Sequence, residues 1–310
     1  MTRFVDEKDI AILRVIDGLR TAFEWVPVEK IVEKLPYKDF EVKRRIKELD
    51  KMELVRYRYV SHYNSFAAML TEKGFDTLAL WDFKKHDVIE KVGAEIGVGK
   101  ESIIIGCVSP KGEWVVVKFH RYWAKEFRNI RKSLAYASII VRGKELNLED
   151  SRIDIPRAKA QVEMNALEKL HKIGVNVPEP LGINRHAIAM KMLTRNGGIP
   201  APQLVRVKLT DPVTAYETIV EDYIKMVDKG DVIHGDFNEY NVIITENETP
   251  YYIDFPQAVP KSYSEAKFLI RRDLNKISHY FQLKYRLKTK DVEKILKDLM
   301  ENNNRNSLLQ

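Results

Sequence analysis

Cysteine is almost missing from this chain: Cys107 is the single thiol in 310 residues. One thiol excludes an internal disulfide and a thiolate-rich zinc site, and it fits a reducing, cytoplasmic setting. Long apolar runs are absent too, none approaching the roughly 18 residues of a membrane span. The N-terminus opens on Asp6, Glu7 and Asp9 rather than on a basic stretch leading into an apolar core. The expectation is therefore a soluble, unprocessed chain with no membrane partner. No fixed-period repeat is visible, and the biased tail is expected to fray over residues 303–310. Charge, by contrast, is plentiful: 31% of residues are charged and the net charge is +7, beside 45% hydrophobic residues for building cores. A basic excess suits a phosphate-rich partner. It is unevenly placed, because residues 1–90 carry 17 Lys and Arg against 17 Asp and Glu, so the whole excess lies beyond residue 90.

The length predicts two domains of roughly 100 to 200 residues each, or one domain with an appendage. Residues 1–86 read as a helical unit. Ile10, Leu13, Ile16 and Leu19 recur at helical spacing, a short helix follows Pro27 over 28–35, and a third spans 39–52 with Phe40, Val42, Ile46 and Leu49 on its apolar stripe. Lys43, Arg44, Arg45 and Lys47 fall on its other faces. Two β-prone runs, 54–60 and 65–70, precede a helix that Thr71 caps. Three helices and a hairpin in this order describe a winged helix-turn-helix, whose third helix and wing usually meet nucleic acid. A charged helix face is as readily a solvated one, and the zero net charge of this unit argues against a strong autonomous DNA binder.

From Asp87 the pattern turns to strands, over 88–96, 102–108 and 113–120, and the second domain is expected to span 87–302. The chemistry is concentrated in HGDFNEYN, residues 234–241, and in the later YYIDFP. Apolar strands deliver Asp236, Asn241 and Asp254 to neighbouring ends. Phosphoryl transfer needs such a set: one carboxylate to orient or deprotonate a hydroxyl, and an Asn with an Asp to hold Mg²⁺ against nucleotide phosphates. The bland alternative is a hairpin whose Asp and Asn residues make turns, but a turn does not need an Asp preceded by His-Gly at the end of an apolar strand.

Upstream, GVGKES supplies Gly97, Gly99, Lys100, Glu101 and Ser102, a run whose backbone N–H groups, Lys100 and Ser102 hydroxyl suit phosphate. It is not a Walker A loop, since Ala94 and Glu101 stand where glycine and Ser or Thr are required, nor the full kinase loop, since Ser102 holds the third glycine position. Lys118 sits in the apolar strand 114–119, where an unpaired ammonium is costly. Phosphate contact plus pairing with Glu163 on the following helix, 158–172, accounts for it; snorkelling from an edge strand is the alternative. Residues 121–132 mix Arg121, Lys125, Arg128, Arg131 and Lys132 with three aromatics, which suits nucleic acid or a solvated amphipathic helix equally. Order along the chain puts a hinge after strand 187–193, with Met190 behind an adenine pocket and the backbone of Lys191 to Leu193 bonding the base. The N-lobe then covers about 87–190 and the C-lobe about 194–302.

These motifs, IGVGKES, VVVKFHR, the helix with Glu163, NRHAIAM, IHGDFNEYNVII and YIDFPQA, resemble in their order the RIO family of atypical serine/threonine protein kinases. The winged helix before them resembles the archaeal-like subgroup carrying that domain at its N-terminus. The resemblance implies an α+β chain, a winged helix-turn-helix followed by a compact bilobal kinase-like domain with a reduced C-lobe. It implies Asp236 as the catalytic aspartate, Asn241 and Asp254 as ligands of Mg²⁺ or Mn²⁺, Lys118 paired with Glu163, and residues 97–102 over the phosphates of ATP. It further implies transient phosphorylation of Asp254, and a role in late maturation of the small ribosomal subunit, with the pre-ribosomal particle, its rRNA and a protein substrate as partners. Departures from ordinary protein kinases point the same way. Gly235 replaces the arginine that reads a phosphorylated activation loop, Pro256 stiffens the metal loop, and no A-P-E segment follows. Only 56 residues follow Asp254, so ATP binding is better supported than peptide phosphorylation. Two other readings fit parts of the pattern: a small-molecule phosphotransferase of the aminoglycoside or choline kinase kind, and a nucleic-acid-binding regulator whose kinase-like part senses ATP.

Overall fold

A computed structural model of the chain describes residues 4–99, 101–121, 151–195 and 198–306. It divides into two compact units, Met1–Asp87 and Val88–Gln310. In the first, α1 (Glu7–Leu19) begins at a reciprocal capping box between Asp6 and Asp9, which satisfies N–H groups that the first turn leaves open. The short strand β1 (Val26–Pro27) leads into α2 (Val28–Glu33) and α3 (Asp39–Lys51). The hairpin β2 (Val55–Val60) and β3 (Ser65–Leu70) completes a three-stranded sheet of order β1-β3-β2, followed by α4 (Glu72–Lys85) with its Thr71 cap. Helices and strands enclose Ile10, Leu13, Ile16, Val42, Ile46 and Leu49.

Two residues of α3 depart from the periodicity reading. Phe40, expected on the apolar stripe, is 69% exposed, whereas Arg45, expected on an outer face, is 8% exposed. The reason is ionic. Arg45 Nη1 lies 2.7 Å from Asp9 Oδ1 and 2.9 Å from Asp6 Oδ1, so the guanidinium is turned inward to tie α3 to the cap of α1. Periodicity ranks residues by hydrophobicity and does not register a pair that neutralises itself.

The second unit opens with a five-stranded antiparallel sheet of order β4-β5-β6-β8-β7, built from β4 (Lys91–Val98), β5 (Ser102–Val108), β6 (Trp114–His120), β7 (Pro180–Asn184) and β8 (Ala187–Lys191). Between β6 and β7 comes α5 (Ser151–Lys172), which Gly174 terminates at φ +70°. This helix begins seven residues before the expected Ala158 and contains Pro156. Proline removes a donor, but buried Ile155 and Ala158 on either side give the extra turns a packing return. A small ribbon of β9 (Thr194–Arg195) and β10 (Ile199–Pro200) links the sheet to the helical part. There, α6 (Pro212–Asp228) starts as its sequence dictates, with Asp211 as cap and Pro212 in the first turn. The hairpin of β11 (Val242–Ile244) and β12 (Pro250–Tyr252) comes next, then α7 (Ala266–Tyr285) and α8 (Val292–Asn306). One apolar cluster runs through this unit, joining Met164, Leu167 and Leu170 of α5, Ile219 and Tyr223 of α6, Phe237 and Phe255 of the loops, and Ile270, Leu274 and Ile277 of α7. Among the described residues no helix is long and apolar enough to cross a membrane.

Candidate active site

Three elements deliver the charged centre. On β6, alternation turns Val117 and Phe119 to one face and Lys118 to the other, and Lys118 is 6% exposed. Its Nζ lies 2.8 Å from Glu163 Oε1 on α5 and 2.6 Å from Asp254 Oδ1 in the loop after β12. Burial by itself pushes the ammonium towards neutrality; the carboxylates of Asp254 and Glu163 more than offset this and hold it above its ordinary value. Glu163 shows the complementary balance: burial would raise it, but the Lys118 charge holds it down at about 2. His120, two residues along β6, has Nε2 2.8 Å from Glu163 Oε2, without the alignment of a hydrogen bond. Burial keeps that imidazole below its ordinary value, so Lys118 is the cation that Glu163 neutralises.

The loop before β11 carries the second half of the site. Gly235 adopts φ +78°, and a Cβ there would stand 2.6 Å from the Gln257 carbonyl, so the residue that replaces the usual arginine is required by the backbone. Gly235 N–H donates to Asp273 of α7 at 2.9 Å, and Tyr223 O–H donates to the same carboxylate oxygen at 3.1 Å. Arg272 donates to the Gly235 carbonyl. His234 Nδ1 accepts from the Asp236 N–H, and its Nε2 faces the Ile253 carbonyl at 3.0 Å, which fixes the ring as the Nε2–H tautomer. These bonds position Asp236. Its carboxylate is half-exposed and 2.8 Å from Lys276 Nζ. Asn241 donates from Nδ2 to the Asp236 carbonyl at 2.9 Å, which orients its amide oxygen away from that bond. Asp254 holds φ +70°, a left-handed conformation that Asp tolerates better than most residues.

The donor set can therefore be tested against a metal. Asn241 and Asp254 offer hard oxygen ligands, as Mg²⁺ prefers. Among the described residues no group of three or more His, Cys, Asp or Glu side chains is placed to hold a metal ion. Two protein ligands fit an ion that takes its remaining oxygens from water and nucleotide phosphates, the usual arrangement for Mg²⁺ in such sites.

The phosphate-loop residues are arranged differently from the simplest reading. Gly97 pairs with Ile104 in the β4–β5 ladder, and Gly99 N–H is already donated to the Ser102 carbonyl at 2.9 Å, closing the hairpin. Ser102 pairs with His120 of β6. Glu101, expected at the phosphates, has its carboxylate 2.8 Å from Lys159 Nζ on α5. Lys100 and residues 122–132 lie outside the described residues. At the hinge, Met190 is buried. Lys191 N–H is donated to the Glu179 carbonyl and Met192 N–H to the Trp114 carbonyl. Their donors are spent within the sheet, so of this run the N–H of Leu193 has no acceptor among the described residues.

Comparison with known proteins bears on the whole arrangement. Residues 104–295 match the family model of the RIO domain, and residues 2–86 match that of the Rio2 N-terminal domain. The chain belongs to the RIO kinase family. The RIO-type serine/threonine-protein kinase Rio2 of Methanocaldococcus jannaschii is 31% identical over 278 residues, covering 88% of this chain and 94% of that one. The serine/threonine-protein kinase rio2 of Schizosaccharomyces pombe is 33% identical over 246 residues, with 79% and 68% covered. Among solved structures, the Rio2 kinase–ADP/Mg²⁺–phosphoaspartate complex from Chaetomium thermophilum superposes with a TM-score of 0.77 at 25% identity, over 96% of this chain and 87% of that one. Family membership selects the atypical kinase from the three readings that the sequence raised.

Within this RIO kinase, Lys118, Glu163 and Asp254 meet directly, and Asp236 and Asn241 share one backbone anchor. Sequence reasoning missed His120, Lys159, Asp273 and Lys276. Asp273 had a signal: it is an acid on the Ile270, Leu274 and Ile277 stripe, where only a buried partner explains it. Lys159 is one helical turn before Glu163 and so on the same face.

Proposed function

We propose that this chain is an Mg-ATP-dependent phosphotransferase in which Asp236 orients and deprotonates the acceptor hydroxyl. Asn241 and Asp254 hold Mg²⁺, or Mn²⁺, and Lys118, kept charged and placed by Glu163, contacts the nucleotide phosphates. The bound ion would neutralise charge on the phosphates as the bond to the leaving group lengthens. Residues 97–102 cover the phosphates through the closed hairpin; Met190 backs the adenine and Leu193 supplies a backbone donor to it.

The observation that carries this reading is the contact of Lys118 with both Glu163 and Asp254. A buried cation bridging a helix carboxylate and a half-exposed loop carboxylate has a ready exchange: nucleotide phosphate can replace Asp254 at Lys118, freeing Asp254 for the metal. The Chaetomium thermophilum kinase was solved as a phosphoaspartate complex, and Asp254 is our candidate for an equivalent acyl phosphate here. The expected setting is the cytoplasm, acting on small-subunit ribosomal precursors.

The test follows labelled ATP with the purified chain, separating released phosphate from protein-bound label and checking that label for acyl-phosphate lability. Label released by neutral hydroxylamine and repeated phosphate release support an ATPase cycle, whereas hydroxylamine-resistant, acid-stable seryl label or label on added protein supports kinase output. Asp254→Ala is expected to weaken Mg-ATP binding by about tenfold or more, in keeping with loss of a metal-site group. Wild-type turnover in this variant would remove Asp254 from the site.

A further inference from the structure

The hairpin that carries GVGKES is anchored unevenly. Its outer strand, β4, is the edge of the sheet and is exposed along nearly its whole length, and its pairing with β5 shifts register between Val92 and Glu95 and again between Glu95 and Gly97. A strand seated so loosely does not by itself fix the turn at its end. The firm side of the turn is Glu101. Its carbonyl accepts the Arg121 N–H at 2.7 Å, at the end of β6, and its carboxylate lies 2.8 Å from Lys159 Nζ on α5. Lys159 is 1% exposed, so its charge needs a carboxylate partner, and the hairpin supplies one.

Lys159 and Glu163 stand one helical turn apart on α5 and share a face. Ala160, Met164 and Leu167, buried in the apolar cluster, fix the rotation of the helix that presents it. Glu163 holds Lys118 at 2.8 Å, and Lys159 holds Glu101 at 2.8 Å. One helix face thus grips both the cation and the hairpin that are read above as meeting the nucleotide phosphates. The pairing also settles a problem of charge. A free carboxylate in a phosphate-binding turn would repel the phosphates; drawn to Lys159, it is neutralised.

We propose that Lys159 is a positioning residue for the nucleotide phosphates, acting through Glu101: the pair sets the phosphate hairpin against α5 and withholds the Glu101 charge from the ligand. The proposal rests on the reading of residues 97–102 as the phosphate cover. It makes the pair matter to the diphosphate and not to the nucleoside. Removing Lys159 both loosens the hairpin and frees a repelling carboxylate, whereas removing the Glu101 charge only loosens it. The two substitutions are therefore non-additive, and the double variant behaves like the Glu101 variant.

The experiment titrates the full chain with MgADP and, separately, with adenosine, by calorimetry. Lys159→Met is expected to weaken MgADP about tenfold and to leave adenosine unchanged. Glu101→Gln is expected to weaken MgADP about threefold, and Lys159→Met with Glu101→Gln to return to that level. In turnover the loss appears in KM for ATP, with kcat little changed, because neither side chain reaches the reacting atoms. Glu101→Gln keeps α5 intact and carries the test if Lys159→Met fails to fold. An equal loss of adenosine affinity would reduce Lys159 to a structural role and overturn the proposal, as would unchanged MgADP affinity in both single variants. Gly99→Val separates that second result from failure of the phosphate-cover reading. A Cβ at Gly99 meets only the Ser102 carbonyl oxygen, at 3.6 Å, so valine fits the hairpin while intruding on a ligand beneath it. Weaker MgADP binding in Gly99→Val alone leaves the cover standing without Lys159; no change there removes the cover as well.

Discussion

Two lysine–aspartate pairs sit in the same domain and do opposite things. Lys118 meets Asp254 at 2.6 Å with 7% of the lysine and 42% of the aspartate side chain exposed; Lys276 meets Asp236 at 2.8 Å with 40% and 39% exposed. The separations are nearly equal, so the difference lies in the solvent. In the first pair the lysine is closed off together with its other partner, Glu163, 1% exposed, and there Coulomb interactions are strong and an unbalanced charge is expensive. The second opens onto a cleft, where water and salt weaken the attraction and the partners can part cheaply. On the roles proposed above, nucleotide handling rests on a buried lysine held by Glu163, and acceptor handling on a pair in which both partners are exposed.

That contrast is tested most severely by Asp236→Ala. Removing the proposed base is expected to cut phosphoryl transfer by about a thousandfold, within the 10²–10⁴ range typical of general base loss. ATP affinity should stay near the wild-type value. Parallel measurements of single-turnover transfer and nucleotide binding check it; unchanged transfer would mean that the exposed pair has no chemical role.

Next in size is Lys118→Met, which strips the buried centre of its cation and leaves the buried Glu163 carboxylate without its lysine partner. Breaking one side of a buried pair costs about 3–5 kcal/mol. Denaturant unfolding of the full chain should show this loss in the transition of the kinase-like unit. A change below about 1 kcal/mol, the level of an exposed pair, would erase the distinction between the two sites.

A pH experiment sharpens the same point. The Lys118 charge holds Glu163 down at about 2, below its ordinary 4.5. A depressed folded value contributes stability that is complete above about 4.5 and disappears as pH falls towards 2. Glu163→Gln removes this contribution, so its unfolding free energy should fall less steeply than wild type between about pH 4.5 and 2.5. Parallel slopes would show that other carboxylates carry the acid sensitivity.

The sequence made the exposed centre's chemistry easier to read than its support. HGDFNEYN names Asp236 and Asn241 because apolar strands flank polar residues that a mere turn would not need. Lys118 was legible as a lysine within an apolar strand, and Glu163 as its partner on the next helix. What stayed hidden depends on contacts between distant segments. Arg45 turns inward because Asp6 and Asp9 lie nearly 40 residues earlier, Glu101 is claimed by Lys159 58 residues later, and Lys276 reaches Asp236 across 40 residues. No periodicity encodes such pairs. The spent N–H of Gly99 and of Lys191 is similar: a glycine or hinge position is visible in sequence, but the acceptor that uses its donor is not.

The mildest test is Lys276→Gln, which preserves most of the reach of the side chain while removing its charge. Because the pair is half-exposed, the stability change should be about 0–1 kcal/mol, and transfer should change less than tenfold, since Asp236 remains anchored through Gly235, Asp273 and His234. Salt should mimic the substitution in the wild-type chain. Screening tightens from a Debye length of about 10 Å at 0.1 M to about 3 Å at 1 M, which weakens the exposed pair and spares the buried Lys118–Glu163 pair. Single-turnover transfer measured across that range should therefore drift towards the Lys276→Gln value, while the variant itself responds less. A Lys276→Gln loss as large as that of Asp236→Ala would show that the exposed lysine is indispensable to the chemistry, and the division between a buried nucleotide centre and an exposed acceptor centre would fail at the acceptor end.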